Sequence, residues 1–253
     1  MTLEALHLEG LELSLVAPRN AILPRQLTRV RIDPTAHRSR VSEIQAVRGQ
    51  IYFEDGAIPK TALDAQGRYG AEGDFDHWHV VVSDSTSNVC GCVRLRLLHP
   101  YQDLTELHTY QVLARLPEDQ QGRYLRAADA HRMKALEDNV SFGEVGGLAL
   151  TKKVRRSSAG ITLAVACWSV FRLLGNAMPL GTSTLRHGWA ERLQGLGGFA
   201  LTCGNDPLPP FYDDYFRCEM QLLGFDSRRI VPSCEPLVEE ILSHFLDSTI
   251  VAA

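Results

Sequence analysis

One stretch of this sequence, residues 142–174, constrains the fold more than any other. It begins with Phe142–Leu150, an apolar and glycine-rich segment without proline, which is typical of a mostly buried strand. A basic turn of small residues follows over Thr151–Gly160. In Ile161–Leu174 apolar residues then recur at helical spacing. We therefore predict a strand, a turn and a helix in direct succession.

The turn between this strand and this helix has the features of an anion site. The first N–H groups of a helix have no partner within the helix, and the helix dipole favours negative charge beside them. Arg155 and Arg156 add cations at this point, and Gly160 would let a phosphate approach the backbone. The open alternative is a buried strand followed by an ordinary basic surface turn.

Composition excludes several classes of protein. Apolar residues make up 45% and charged residues 22% of the 253 residues, as in ordinary globular proteins. The net charge of −4 argues against nucleic acid as the main ligand, because no face-wide basic excess is available. No run approaches the ~20 apolar residues of a membrane span. Met1–Leu15 has no basic flank before an apolar run, so we expect no signal peptide and a cytoplasmic location.

Cysteine and histidine give weak signals. The six cysteines, at positions 90, 92, 167, 203, 218 and 234, lack the paired spacing of zinc sites, so we interpret them as buried thiols in a reducing compartment. His77 and His79 flank Trp78, and an isolated His-x-His is a poor metal signal. We predict no metal site.

The order of predicted elements indicates an α/β fold with a mixed sheet and helices on both faces. Strands are predicted over residues 3–16, 27–32, 78–83, 89–98, 142–150, 178–185, 199–203 and 216–224. Helices are predicted over residues 34–53, 161–174, 186–194 and 236–246, with two more in 101–139. We expect one domain over residues 1–253, with a helical insertion at about 101–139 and a C-terminal strand-helix segment at about 211–246.

Two segments, in the same order, resemble the GCN5-related N-acyltransferase (GNAT) superfamily. The strand and turn described above resemble its pyrophosphate-binding segment, which grips coenzyme A or a phosphopantetheine arm. The run Arg192–Phe199 resembles a second segment, in which a helix stops on glycine before the next strand. The resemblance implies a mixed, mostly antiparallel central sheet and an enzyme that transfers an acyl group from a thioester to an amine.

Further segments resemble the acyl-homoserine-lactone synthases and, still more, the long-chain N-acyl amino acid synthases. They are Arg48 with Tyr52 and Phe53, Glu72–Asp76, Gly91–Arg94, Glu144, Tyr212–Tyr215 and Cys218–Ser227. Two departures stand out. Gly147 stands where the lactone synthases usually carry Arg, and Asp76 lies two residues beyond Asp74 instead of three. We therefore do not expect a lactone product.

Roles for single residues follow from this resemblance. Glu144 is the expected catalytic base that takes the proton of the amine. The expected binding site of the acceptor consists of Arg48, Asp74, Asp76 and Arg94, with Arg94 on a carboxylate. A backbone N–H near Leu148 would polarise the thioester carbonyl. The donor arm and its phosphates are assigned to Leu148, Leu150, Arg155, Arg156, Ser157, Ser158, Ala159 and Gly160.

The expected co-substrate is acyl-CoA or an acyl-phosphopantetheine, with no tightly bound cofactor, and the expected acceptor is a small amine such as an amino acid. An acyl carrier protein is an expected partner if two groups of cations flank the donor entrance and form a positive patch. These are Lys152, Lys153, Arg155 and Arg156, and Arg123, Arg126, Arg132 and Lys134. Two alternatives stay open: an acetyl-CoA-dependent N-acetyltransferase of small molecules, and a catalytically silent module that binds a thioester or a partner protein.

Overall fold

The computed structural model describes residues 10–70 and 72–253 of the chain. The first part of the strand predicted over residues 3–16, and most of the segment on which the signal-peptide prediction rests, lie outside the described residues. The described strands are β1 (Leu11–Val16), β2 (Val30–Ile32), β3 (Trp78–Asp84), β4 (Val89–Leu98), β5 (Ser141–Leu150), β6 (Ala177–Thr184), β7 (Phe199–Ala200), β8 (Thr202–Cys203), β9 (Asp206–Pro207), β10 (Phe211–Asp213), β11 (Cys218–Gly224) and β12 (Ile250–Ala252). The described α-helices are α1 (Pro34–Glu54), α2 (His108–Leu113), α3 (Glu118–Glu137), α4 (Ala159–Leu173), α5 (Trp189–Leu196) and α6 (Glu235–Asp247).

Most of the predicted elements are confirmed to within a few residues. The predicted helix at residues 34–53 is α1, whose N-terminus has Pro34 at its first position and Asp33 as its cap. The strands predicted over residues 78–83 and 89–98 are β3 and β4, and the two helices expected in 101–139 are α2 and α3. Gly197 follows α5 with a φ of +123°, as the glycine stop predicts.

The sequence prediction was wrong at short strands. The single strand predicted over residues 199–203 is two strands of two residues each, β7 and β8, which pair with different partners. β9, β10 and β12 were not predicted at all. Each of these strands spans only two or three residues, which is too short for an alternating pattern to be recognised.

The described chain divides into two compact units. The first unit comprises residues up to 96, 147–173 and 233–253, and the second comprises residues 97–146 and 174–232. The chain therefore passes from one unit to the other within β4 and again within β5. The prediction of a single domain over residues 1–253 stays a prediction.

In the first unit, helices cover both faces of the sheet. Its strand order is β4-β3-β1-β12-β2, antiparallel from β4 to β1 and parallel from β1 to β2, and the end of β5 lies beside β4. Cys92 of β4 packs in one core cluster with Val41 and Ile44 of α1. A Cβ on the preceding residue, Gly91, would lie 3.2 Å from Leu163 of α4. Because successive strand residues point to opposite faces, α1 and α4 lie on opposite sides of this sheet.

In the second unit, the first half of β5 pairs with β6. The strand order is β10-β11-β6-β5, with β7 also on β11, and only the β5–β6 pair is parallel. The helices α2, α3 and α5 all contact β6. The β5–β6 ladder runs from Ser141 and Ala177 to Glu144 and Leu180 and ends there, although both strands continue. In the chain as a whole antiparallel pairs predominate, so the predicted mixed, mostly antiparallel sheet with helices on both faces is confirmed.

The sequence also led to expectations about membrane spans, metal sites and the state of the cysteines. Within these residues no helix combines the length and the apolar character that crossing a membrane requires. They also contain no group of three or more His, Cys, Asp or Glu side chains arranged to hold a metal ion. All six cysteines are free thiols; four are buried, as predicted, whereas Cys203 and Cys218 are half-buried.

The end of the β5–β6 ladder depends on a residue without a side chain. A Cβ at Gly181 would lie 2.2 Å from the backbone oxygen of Val145, so Gly181→Ala forces the two strands apart. We expect this substitution to lower the free energy of unfolding by about 2–3 kcal/mol in urea denaturation. The control is Gly195→Ala in α5, where a Cβ meets no atom within 4 Å, and a gain of about 0.5–1 kcal/mol is expected there. Equal stability of the Gly181 variant and the wild type would contradict the steric argument.

Candidate active site

The predicted acceptor residues Arg48, Asp74 and Arg94 form one buried cluster in the first unit. Nη1 of Arg48 donates to both carboxylate oxygens of Asp74, at 3.2 and 3.0 Å, and Nη1 of Arg94 donates to Oδ1 at 2.6 Å. Arg48 comes from α1, Arg94 from β4, and Asp74 from the short 3-10 turn before β3. Asp74 and Arg48 are almost wholly buried, and the side chain of Arg94 is 12% exposed.

Two further residues complete the surroundings of Asp74. Nε2 of Gln45, one turn before Arg48 on the same face of α1, donates to Oδ2 of Asp74 at 3.1 Å. The carboxylate also needs Gly70, where a Cβ would lie 2.4 Å from Oδ2. Neither Gln45 nor Gly70 was predicted to belong to the site; the contact of Gln45 joins residues 29 positions apart in the chain.

The charges of this cluster do not balance. Burial alone would raise the pKa of Asp74, but Arg48 and Arg94 outweigh it and hold that pKa well below its usual value. Burial also opposes the charged form of Arg48, and the Asp74 carboxylate more than compensates, so the pKa of Arg48 is raised. Two guanidinium groups therefore face one carboxylate, and one positive charge is left over.

Unused hydrogen-bonding atoms accompany the surplus charge. Nε and Nη2 of Arg48 and Nδ1 of His79 are buried without a hydrogen-bond partner among the described residues. The other ring nitrogen of His79, Nε2, lies 2.8 Å from the backbone oxygen of Asp74. Since Nε2 faces a carbonyl oxygen, it carries the proton of the neutral ring, and Nδ1 is an acceptor. The unpartnered donors are therefore the two on Arg48; buried donors without partners cost free energy, so this cluster is suited to accept an anionic group.

Gly147 of β5 borders the same cluster. Its φ of +68° is in the left-handed region, which marks an irregularity inside the strand. A Cβ at this position would lie 3.3 Å from Nε of Arg48 and 3.3 Å from Cγ of Arg94. Where the resembling lactone synthases usually carry an Arg, this chain therefore has a glycine beside a guanidinium that comes from α1.

Asp76, the remaining residue of the predicted acceptor site, has another partner. It pairs with Arg19, whose Nη2 lies 3.2 Å from each of its carboxylate oxygens, and both side chains are 44% exposed. The structure thus places Asp74 and Asp76 in different environments, although they are only two residues apart.

Glu144, the predicted base, is buried in the second unit at the end of the β5–β6 ladder. One carboxylate oxygen accepts the backbone N–H of His108 at 3.1 Å, and the other accepts that of Thr109. These N–H groups belong to the first turn of α2, so the carboxylate caps this helix.

The helix that carries Thr109 also borders an apolar crevice in the second unit. Its lining includes Leu107, Tyr110, Leu113 and Leu180, and it has no room for a water molecule. This crevice is therefore packed core.

The predicted phosphate-binding turn lies between β5 and α4, in the first unit. Oγ of Ser157 accepts the N–H of Ala159 at 3.2 Å, and the oxygen of Ser158 accepts that of Thr162 at 2.9 Å. The N–H groups of Gly160 and Ile161 have no partner among the hydrogen bonds of the described residues. The start of α4 therefore offers two adjacent backbone donors.

Most of the cations in this turn already have acidic partners. Arg155 donates from Nη1 and Nη2 to the two oxygens of Asp55, at 2.8 and 2.7 Å, and from Nε to the oxygen of Leu150. Nζ of Lys152 lies 3.0 Å from Glu54, and Nζ of Lys153 lies 3.9 Å from Asp84. Of the second predicted group of cations, Arg132 pairs with Asp129 and Lys134 pairs with Asp138.

The remaining donor residues lie on β5. Leu150 is buried, and its backbone oxygen accepts from Arg155. The backbone oxygen of Leu148 lies 3.4 Å from the hydroxyl of Tyr52, which donates to it. Leu148 directly follows Gly147, so its N–H lies at the irregular point of the strand where the sequence analysis expects a polarising donor.

The fold is similar to that of several solved acyltransferase structures. BjaI, a CoA-dependent acyl-homoserine lactone synthase solved with SAM and isopentyl-CoA, matches with a TM-score of 0.57 and 12% identity, over 96% of this chain and 94% of that one. MesI, another CoA-dependent acyl-homoserine lactone synthase, matches with a TM-score of 0.51 and 13% identity, over 96% of this chain and 99% of that one. FeeM, an N-acyl amino acid synthase from uncultured soil microbes, matches with a TM-score of 0.51 and 7% identity, over 87% of this chain and 92% of that one. No family model and no curated protein matches this sequence. The resemblance stated from the sequence is therefore confirmed for the fold.

The buried His79 makes stability depend on pH. Burial, helped by Arg48, lowers the pKa of His79 from 6.5 to about 3, so the folded protein keeps this ring neutral where the unfolded chain binds a proton. Stability must then fall as the pH drops below 6.5, by up to about 1.4 kcal/mol per pH unit. Between pH 7 and pH 5.5 we expect the wild type to lose about 1 kcal/mol more than His79→Gln in urea denaturation. The exposed His99 is the control: His99→Gln should follow the wild type, and a His79 variant that also does so would refute the assignment.

Proposed function

We propose that this protein is an N-acyltransferase that moves an acyl group from a thioester to the amine of a small polar acceptor such as an amino acid. The observation that carries the proposal is the path of β5. Its ladder with β6 ends at a buried carboxylate, Glu144, and three residues later Gly147 breaks its regular geometry. Solved structures with this fold include acyl-homoserine lactone synthases and an N-acyl amino acid synthase, which supports the reaction class.

The donor arm is proposed to bind along β5 and the turn after it. At Gly146 a Cβ would meet no atom within 4 Å, so the strand is open there to an extended ligand. The phosphate would take the free N–H groups at the start of α4 and the side chain of Arg156. The N–H of Leu148, next to the irregularity at Gly147, is the proposed donor to the thioester oxygen.

The acceptor is proposed to carry a carboxylate that binds the Arg48–Arg94 cluster. This cluster has a surplus positive charge and two unused donors on Arg48, and Arg94 is its partly exposed member. A carboxylate would neutralise the charge and satisfy those donors. Asp74 then serves to hold both guanidinium groups in place. Asp76 is not part of this proposal, because its carboxylate pairs with Arg19.

Glu144 is proposed to take the proton of the acceptor ammonium, directly or through a water. Each of its oxygens accepts one backbone N–H, and a second lone pair on each remains for a proton. The amine must be neutral to attack the thioester carbon, so one ammonium proton goes to the carboxylate. As the C–N bond forms, the C–S bond breaks, and a second N–H proton passes from the nitrogen to the leaving sulfur, which departs as the thiol. A catalytically silent module remains the second candidate, because the same two hydrogen bonds also give Glu144 a structural role.

Glu144→Gln should lower kcat by ~10²–10⁴-fold at neutral pH and leave the donor affinity nearly unchanged. The amide cannot accept a proton, so the activity of the variant should recover at higher pH as the free amine loses its proton unaided. A purely structural role predicts a loss of activity that does not depend on pH. The melting temperature of the variant must be measured as well, because an amide is a poorer cap for α2. A full wild-type rate would remove Glu144 from the mechanism.

Arg94→Met should raise the KM for an amino acid acceptor by ~10–100-fold, because a charge-assisted hydrogen bond is lost. The KM for the corresponding amino acid amide, which has no carboxylate, should change little. Arg31→Met, which removes an exposed cation from the short strand β2, is the matched control and should affect neither acceptor. Equal changes in the KM for the amino acid and for its amide would mean that Arg94 does not bind the carboxylate.

A further inference from the structure

The C-terminal end of α1 places two carboxylates against the donor turn. Asp55 receives both terminal nitrogens of Arg155 in a two-point pair, and these side chains are 24% and 27% exposed. Glu54, the residue before it, pairs with Lys152 at 3.0 Å. Hydrogen bonds from Gln50 and then Lys152 hold the pKa of Glu54 below its usual value. Glu54 is therefore ionised at neutral pH.

These pairs change the charge that the turn can offer to a ligand. Arg155 and Lys152 are engaged by Asp55 and Glu54, and Lys153 lies 3.9 Å from Asp84. Arg156 is exposed and has no carboxylate within ion-pair distance among the described residues. Four cations therefore face three acids, and the turn is left with one uncompensated positive charge beside the free N–H groups of Gly160 and Ile161.

The two kinds of thioester donor differ in charge at this point. Coenzyme A carries a pyrophosphate and a phosphate monoester on its ribose, about four negative charges at neutral pH. A phosphopantetheine attached to a carrier protein has the same arm but a single phosphodiester, with one negative charge. Near Asp55 and Glu54 the extra phosphates of coenzyme A would meet repulsion and find the cations already engaged.

We propose that Asp55 and Glu54 set the donor preference of this protein, by limiting the turn to one phosphodiester, as in an acyl-phosphopantetheine on a carrier protein. The proposal rests on the function proposed above, since it concerns the donor site of that reaction. It assigns the two acids to specificity and not to the chemical step. The plain alternative is that the Arg155–Asp55 pair only fastens the turn to α1.

Binding by calorimetry tests the proposal without any turnover. The probes share one arm: uncharged pantetheine, a phosphopantetheine linked as a diester to a short serine peptide, and coenzyme A. The wild type should bind the diester better than pantetheine, and coenzyme A no better than the diester. In the double variant Glu54→Gln with Asp55→Asn, coenzyme A should bind about tenfold more tightly, and the diester should gain less than threefold. Added salt should reduce the gain for coenzyme A.

A matched control lies at the other end of α4. Glu235 makes the same kind of two-point pair with Arg172, about 20 Å along the helix from the turn, so Glu235→Gln should leave all three affinities unchanged. The inference is overturned if the wild type prefers coenzyme A, if the double variant loses affinity for both charged probes alike, or if neither binds better than pantetheine. If the acyl-transfer assays fail, by contrast, the proposed function is contradicted, but the measured order of the three binding affinities is unaffected.

Discussion

The buried carboxylate of Asp74 is the interaction on which the arrangement of the first unit depends. It joins α1, through Arg48 and Gln45, to β4, through Arg94, and its own backbone oxygen lies within hydrogen-bonding distance of His79 on β3. Burying charges is costly, and it is tolerated here because both guanidinium groups share the Asp74 carboxylate with hydrogen-bonding geometry. Removal of the carboxylate would leave two guanidinium groups facing each other, which is a loss of about 3–5 kcal/mol. The same arrangement leaves a surplus positive charge at this point.

The strand β5 carries several residues of the proposed chemistry. Within ten residues it carries a carboxylate that caps a helix, a glycine in the left-handed region and the start of the basic turn. Each feature has a local physical cause. Glu144 is fixed by the N–H groups of α2, and Gly147 leaves room for the guanidinium of Arg48. A regular strand with side chains at every position would offer neither the opening nor the irregular backbone donor.

At two places in the described part of the chain, charge compensation has opposite results. In the cluster around Asp74 one acid serves two arginines, and a positive charge remains for a ligand. In the turn before α4, three acids serve four cations, and most of the positive charge that the sequence suggests is consumed. Counting cations in a segment therefore overestimates its attraction for phosphate. The acids that neutralise it lie on α1 and at the end of β3, about 70 to 100 residues earlier in the chain.

The sequence by itself determined the elements and the reaction class that we propose. Periodicity identified α1, the β3–β4 hairpin, α3, β5 and α4, since each is long enough for its pattern to stand out. The resemblance to known synthases marked Arg48, Asp74, Arg94 and Glu144 as site residues. Only the tertiary structure decided their partners. The separation of Asp76 from Asp74, the capture of Arg155 by Asp55 and the left-handed Gly147 depend on which segments meet in space. Spacing along the chain does not predict such contacts. An ion pair depends on a distance of a few ångströms between side chains, and those residues can be a hundred positions apart in the sequence.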